Sequence, residues 1–131
     1  MTIIEATQSG FRGYVDFSGR ASRSQFWLWH LFAVVALAPL GVVDQAYNPG
    51  TEMGVLSYID MIAVFAMILP TAAVHARRLH DLDRSGWWAL LSLTGVGGIV
   101  VFLWACEKGT PGANRFAPAP TTPAFGMALA R

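Results

Sequence analysis

The densest chemistry in the chain is the run Arg77-Arg78-Leu79-His80-Asp81-Leu82-Asp83-Arg84-Ser85-Gly86-Trp87-Trp88. Continued as a helix, it places Arg77, His80, Asp81 and Arg84 on one face at spacings of three and four. Arg77 and Asp81 then form an ion pair one turn apart. A planar guanidinium binds phosphate or carboxylate through two parallel hydrogen bonds. The segment therefore suits an anionic lipid head group or a partner's carboxylates, and the plainer reading is a solvated loop whose arginines set topology. Arg20 and Arg23 belong to the same binding surface and are expected to lie near Asp81 or Asp83. As catalytic groups, His80 and Asp81 would be acid and base, but no nucleophile or metal set converges on them. The expectation is no enzyme and no catalytic residue. A metal site or other cofactor is not expected either: His75 and His80 point roughly 140° apart on a helix, and His30 lies on another helix. Cys106 is the single cysteine. It can form no disulfide within the chain and reads as an inert buried thiol.

These residues need elements to hold them, and the composition says of what kind. Of the 131 residues, 54% are hydrophobic and only 13% charged, against roughly a quarter charged in a soluble domain. The charges crowd together and leave three apolar runs, at about 26–43, 55–74 and 86–106. Each is near the roughly 20 residues that span a bilayer core of about 30 Å. Trp27, Trp29, Trp87, Trp88 and Trp104 edge these runs as membrane-interface anchors. Ser22-Arg23-Ser24-Gln25 reads as a capping box before the first run. Pro39 lies within that run. Asp60 interrupts the second, near its start, where interfacial placement is favoured over an internal pairing with His30. Phe11-Arg12-Gly13-Tyr14-Val15-Asp16-Phe17, with Phe11, Tyr14 and Val15 at helical spacing, is either a short interfacial helix or an ordinary loop. The first run is expected to serve as its own uncleaved membrane signal. The fold class is all-α, a polytopic membrane protein with a compact bundle of about three transmembrane helices. Residues 1–118 form one membrane domain, and 119–131 form a tail expected to be disordered.

Arginines flank the first run on its N-terminal side and lie between the second and third, with no basic residue between the first and second. The positive-inside rule places the N-terminus and the 75–85 loop in the cytoplasm. A full third span would export Lys108, Arg115 and Arg131. A re-entrant hairpin at Gly95-Val96-Gly97-Gly98 would keep them inside. The full span is preferred here, because non-helical backbone exposed to lipid costs several kcal/mol per unsatisfied group. A net charge of +1 with no basic run excludes nucleic acid as a partner.

Three blocks taken together carry a resemblance. They are Phe17-Ser18-Gly19-Arg20-Ala21-Ser22-Arg23-Ser24-Gln25-Phe26-Trp27, the Arg77–Trp88 segment, and Lys108-Gly109-Thr110-Pro111-Gly112-Ala113-Asn114-Arg115-Phe116. Over roughly residues 11–120 the chain resembles domain of unknown function 805, the YhaH-like bacterial inner-membrane proteins. The family pattern usually has an acid where Gln25 stands, and Gly and Asp where this chain has Ala117 and Ala119. The resemblance implies a multi-pass inner (plasma) membrane protein with a three-helix topology, and no activity. The functional expectation is a membrane interaction or scaffold protein whose arginine-rich cytoplasmic face meets membrane lipids, another membrane protein or a second copy of itself. The alternative is a subunit of a homo-oligomeric channel or transporter, whose polar lining would come from His30 and Asp60.

Overall fold

The structure, a computed structural model, describes residues 1–50 and 53–118. Among these every regular element is a helix: α1 (Ile3–Arg12), α2 (Arg23–Tyr47), α3 (Val55–Asp81), a 3-10 helix (Gly86–Leu93) and α4 (Gly95–Cys106). The 119–131 tail lies outside the described residues.

Two helices, α2 and α3, are long and apolar enough to cross a membrane, with 25 and 27 residues. At 1.5 Å per residue each exceeds the hydrocarbon thickness of about 30 Å. Their outer faces stay apolar: Val34, Val35, Val42, Ile62 and Phe65 are each more than 60% exposed. So much contiguous apolar surface fits lipid, not water. Trp27 and Tyr47 are both exposed, and 20 residues of helix separate them by about 30 Å, as aromatic belts at two interfaces would be. Ser22 caps α2, its Oγ accepting from Gln25 N at 3.2 Å. The expected box is only half made, since the Gln25 amide donates to Ser9 Oγ at 2.6 Å instead of reaching back. Both long helices continue through their prolines, Pro39 and Pro70.

The third apolar run is not one helix, which corrects the expected span at 86–106. Its 3-10 helix rises about 16 Å and α4 about 18 Å, each well short of the bilayer core. The two pack as a hairpin with both ends together. Arg84 Nη2 lies 3.8 Å from Glu107 Oε2, the Arg84 guanidinium sits 4.2 Å over the Trp104 ring, and the Trp88 and Trp104 centroids are 5.9 Å apart. The cost that argued against a hairpin is met locally. Thr94 Oγ1 accepts from Gly97 N at 3.1 Å and donates to Leu91 O at 2.8 Å, and Ser92 Oγ donates to Ala89 O. The tip's own hydroxyls satisfy backbone groups that lipid could not.

An N-terminal helix, α1, leads into the segment that the sequence left open between helix and loop. Thr2 and Glu5 make a full capping box, with Thr2 Oγ1 accepting from Glu5 N at 3.3 Å and Glu5 Oε2 from Thr2 N at 2.7 Å. α1 stops at Arg12, so Phe11 is helical while Tyr14 and Val15 follow it. Tyr14 then ties this segment to α3, its hydroxyl donating to Ala66 O.

The core gathers at one end of α2 and α3. Phe26, Trp29, Val74 and Ala105 are fully buried there, with Phe102 packed against them. Trp29 is thus a core residue, not an interface anchor: its indole N–H donates to Thr71 Oγ1 at 3.2 Å. His30 and His75 meet in the same cluster, ring centroids 4.9 Å apart. Each bonds through Nδ1 to the carbonyl one turn back, Phe26 O at 2.7 Å and Thr71 O at 2.8 Å. Asp60 sits about 22 Å further along α3 from His75, fifteen residues at 1.5 Å each, so it does not pair with the His30 cluster. Cys106 is exposed, against expectation, because α4 ends there at the surface.

Candidate functional site

The last turns of α3 are the junction of the molecule. Asp81 is 4% exposed and Arg78 1%. One Asp81 oxygen accepts from Arg20 Nε at 2.8 Å and the other from Arg78 Nη1. Two buried cations therefore share one carboxylate, and backbone carbonyls take the remaining donors. Arg78 Nη2 donates to Ala105 O at 3.0 Å and also to Glu107 O. These are carbonyls at the C-terminal end of α4, which no intrahelical N–H can reach. A guanidinium there also meets the negative end of the helix dipole. Arg20 donates to Thr110 O and Gly112 O.

The segment after α4 has no regular structure, yet it is fixed side chain by side chain. The Asp81 carbonyl accepts from Thr110 N at 2.7 Å and Thr110 Oγ1 at 2.9 Å. Gly109 runs so close to the Asp81 carboxylate that a Cβ would overlap it. Asn114 Nδ2 donates to His80 O at 2.7 Å. Arg115 Nε meets Asp83 Oδ1 at 3.1 Å. Phe116 stacks on the His80 ring, centroids 4.0 Å apart and planes 7° apart. The three sequence blocks thus converge: block one through Arg20 and Gly19, block two through 78–83, block three through 109–116. Gly19 O accepts from His80 Nδ1 at 3.1 Å.

This geometry sorts the residues expected to bind lipid or a partner. Arg20, Arg78 and Asp81 are spent inside the protein. Their charges bond to one another and to carbonyls, so they present no surface to a head group. His80 is held between Gly19 and Phe116. Arg23 is exposed, and Arg84 lies at the surface over Trp104. The ion pair expected between Arg77 and Asp81 is made by Arg78 instead, at a spacing of three. Of the tryptophans, Trp27, Trp87 and Trp88 are exposed at 41, 80 and 48%, while Trp104 lies partly covered under Arg84.

Arg77 turns the other way, towards α1. It is 7% exposed. Its Nε donates to Ala73 O at 3.3 Å, and its Nη2 is buried without a hydrogen-bond partner. It borders a cavity of about 380 Å³ whose other walls come from α1 and Asp16. Ser18 bonds to the Asp16 carboxylate through its hydroxyl and its N–H, the latter at 2.9 Å, and holds that carboxyl below the usual carboxylate range. No motif in the sequence marks this cavity directly. The Thr2–Glu5 capping signal was its one available trace.

The family model described as protein of unknown function DUF805 matches residues 14–118. The chain belongs to the DUF805 family. It is similar to the inner membrane protein YhaH of Escherichia coli (strain K12), 42% identical over 112 residues that cover 83% of this chain and 90% of that one. The inner membrane protein YhaI of the same strain is 39% identical over 119 residues, covering 90% and 94%. The uncharacterised protein YiiR is 31% identical over 109 residues, covering 79% and 67%. No solved structure matches. The stretch matched by the DUF805 model contains the whole Arg20–Arg78–Asp81 junction, while α1 precedes it.

Proposed function

We propose that this protein is a non-enzymatic inner-membrane interaction protein. Its basic end faces the cytoplasm and holds anionic lipid head groups through Arg23, Arg84, Lys108 and Arg115. The observation that carries this reading is the junction itself. It gathers eight of the nine basic residues at one end of the spans, against five acidic ones, and fixes the irregular segment that presents Lys108 and Arg115. Exposed tryptophans at the same end sit at head-group level. The commitment of His80 to Gly19 and Phe116 supports a structural role for it over an acid–base one. A conducting oligomer is less well supported, since His30 is turned into an aromatic cluster and Asp60 lies at another depth.

All five tryptophans lie towards the basic end, so lipid next to it can be read by quenching. Full-length protein in nanodiscs should be quenched more by brominated phosphatidylglycerol than by brominated phosphatidylcholine. The preference should shrink as salt rises. At about 1 kcal/mol per basic residue near an anionic surface, Arg23→Gln with Arg115→Gln should lower it by up to about thirtyfold. Equal quenching by the two lipids at low salt would overturn the reading and point to a protein partner.

A further inference from the structure

The cavity between α1 and α3 lies away from the exposed arginines just described. Glu5, Gln8, Ser9 and Arg12 line it, at the i, i+3, i+4, i+7 spacing of one helix face. A helix resting on a membrane ordinarily turns such a face to water. Here the face borders Arg77 while Glu5, Gln8 and Arg12 stay exposed, and Ile4 and Phe11, 66% and 45% exposed, lie beside it. The polar face thus lines an open space, with an exposed apolar stripe along its edge. The volume, about 380 Å³, falls in the range of small-molecule sites. Arg77 lines that space, is more than nine-tenths buried, and has an Nη2 with no hydrogen-bond partner. Leaving a donor on a buried charged group unmade is expensive, and a ligand acceptor would relieve it.

The lining carries two cations, Arg12 and Arg77, and two carboxylates, Glu5 and Asp16. A plain anion would meet Glu5 and Asp16 with like charge. A plain cation would meet both arginines. The carboxylates accept their protein bonds through one oxygen each, Glu5 Oε2 from Thr2 and Asp16 Oδ1 from Ser18. We propose that this cavity binds a zwitterionic phosphoethanolamine group, its phosphate on Arg77 and Arg12 and its ammonium on Asp16 and Glu5. A primary ammonium offers three N–H donors to the carboxylates. The trimethylated ammonium of choline offers none. The apolar stripe of α1 beside the cavity favours the head group of a phospholipid as the source. The site goes beyond the anionic-surface reading and uses none of its residues.

Native mass spectrometry of the full chain, released from membranes holding equal phosphatidylethanolamine, phosphatidylcholine and phosphatidylglycerol of one acyl composition, tests this. One phosphatidylethanolamine should be retained per chain. Arg77→Gln should abolish retention. Asp16→Asn alters an exposed side chain remote from the core, so the fold should persist while the preference over phosphatidylcholine drops at least fivefold. Gly13→Ala is a second check, since its Cβ would come within 2.8 Å of Arg77 Nη1 and should crowd the phosphate position. Displacement by micromolar free phosphoethanolamine would support the site and assign it to a soluble ligand. Equal retention of phosphatidylcholine, or a preference indifferent to Asp16→Asn and Gly13→Ala, would overturn the proposal. Preferential retention of phosphatidylglycerol would overturn it too, while leaving the anionic-surface reading standing.

Discussion

The two sides of the end of α3 carry neighbouring arginines of the same chemistry and opposite circumstance. Arg78 faces α4 and the segment after it. Its guanidinium is hydrogen-bonded through all three nitrogens, to Asp81, Ala21, Ala105 and Glu107. Arg77, turned about 100° away around the helix, faces α1. It has one protein hydrogen bond and a buried Nη2 with no partner. Burial is nearly equal on the two sides, so burial does not separate them; satisfaction does. A buried charge with every donor used holds structure together. A buried charge with a donor left over, beside a cavity of mixed sign, is what the proposed ligand would satisfy.

The contrast can be broken by experiment, most forcefully at its closed side. Asp81→Ala leaves Arg20 and Arg78 buried without their carboxylate, and losing one partner of a buried pair costs about 3–5 kcal/mol. Unfolding of the variant in detergent, followed by tryptophan fluorescence, should show a loss of that size. Amide exchange should speed up at Thr110, whose N–H is bonded to the Asp81 carbonyl. Arg77→Gln on the open side should cost much less, about 1 kcal/mol for its one backbone hydrogen bond, in the same unfolding measurement. If the two variants lose equal stability, the distinction between a satisfied and an unsatisfied arginine fails. The smallest effect belongs to the rim. Arg115 and Asp83 pair at 3.1 Å with side chains 65% and 43% exposed. Such pairs contribute about 0–1 kcal/mol and are screened by salt, so Arg115→Ala should shift the unfolding midpoint little and less still at high ionic strength.

The sequence by itself determined the solvent and the material of the fold. Runs of apolar residues long enough to cross a bilayer are a local sum, and the apolar runs at 26–43 and 55–74 lie within α2 and α3. The gathering of basic residues at one end was equally legible, because a count along the chain needs no geometry. So was the nearness of Arg20 to Asp81, since one precedes the first apolar run and the other follows the second. Hydropathy could not decide whether 86–106 forms one helix or folds back on itself. That depended on whether Ser92 and Thr94 could satisfy the backbone at the tip, which is a matter of directed hydrogen bonds and not of summed transfer energy. Nor could spacing choose between Arg77 and Arg78 as the partner of Asp81. Spacings of three and four are both allowed on a helix, and the choice fell to Arg78 because α4 and Arg20 lie on its side. The same phase of α3 placed His75 against His30, drew Trp29 into the core, and turned Arg77 towards a helix whose polar face lines an open cavity. Each of these is a relation between elements far apart in the chain, and only their packing could fix it.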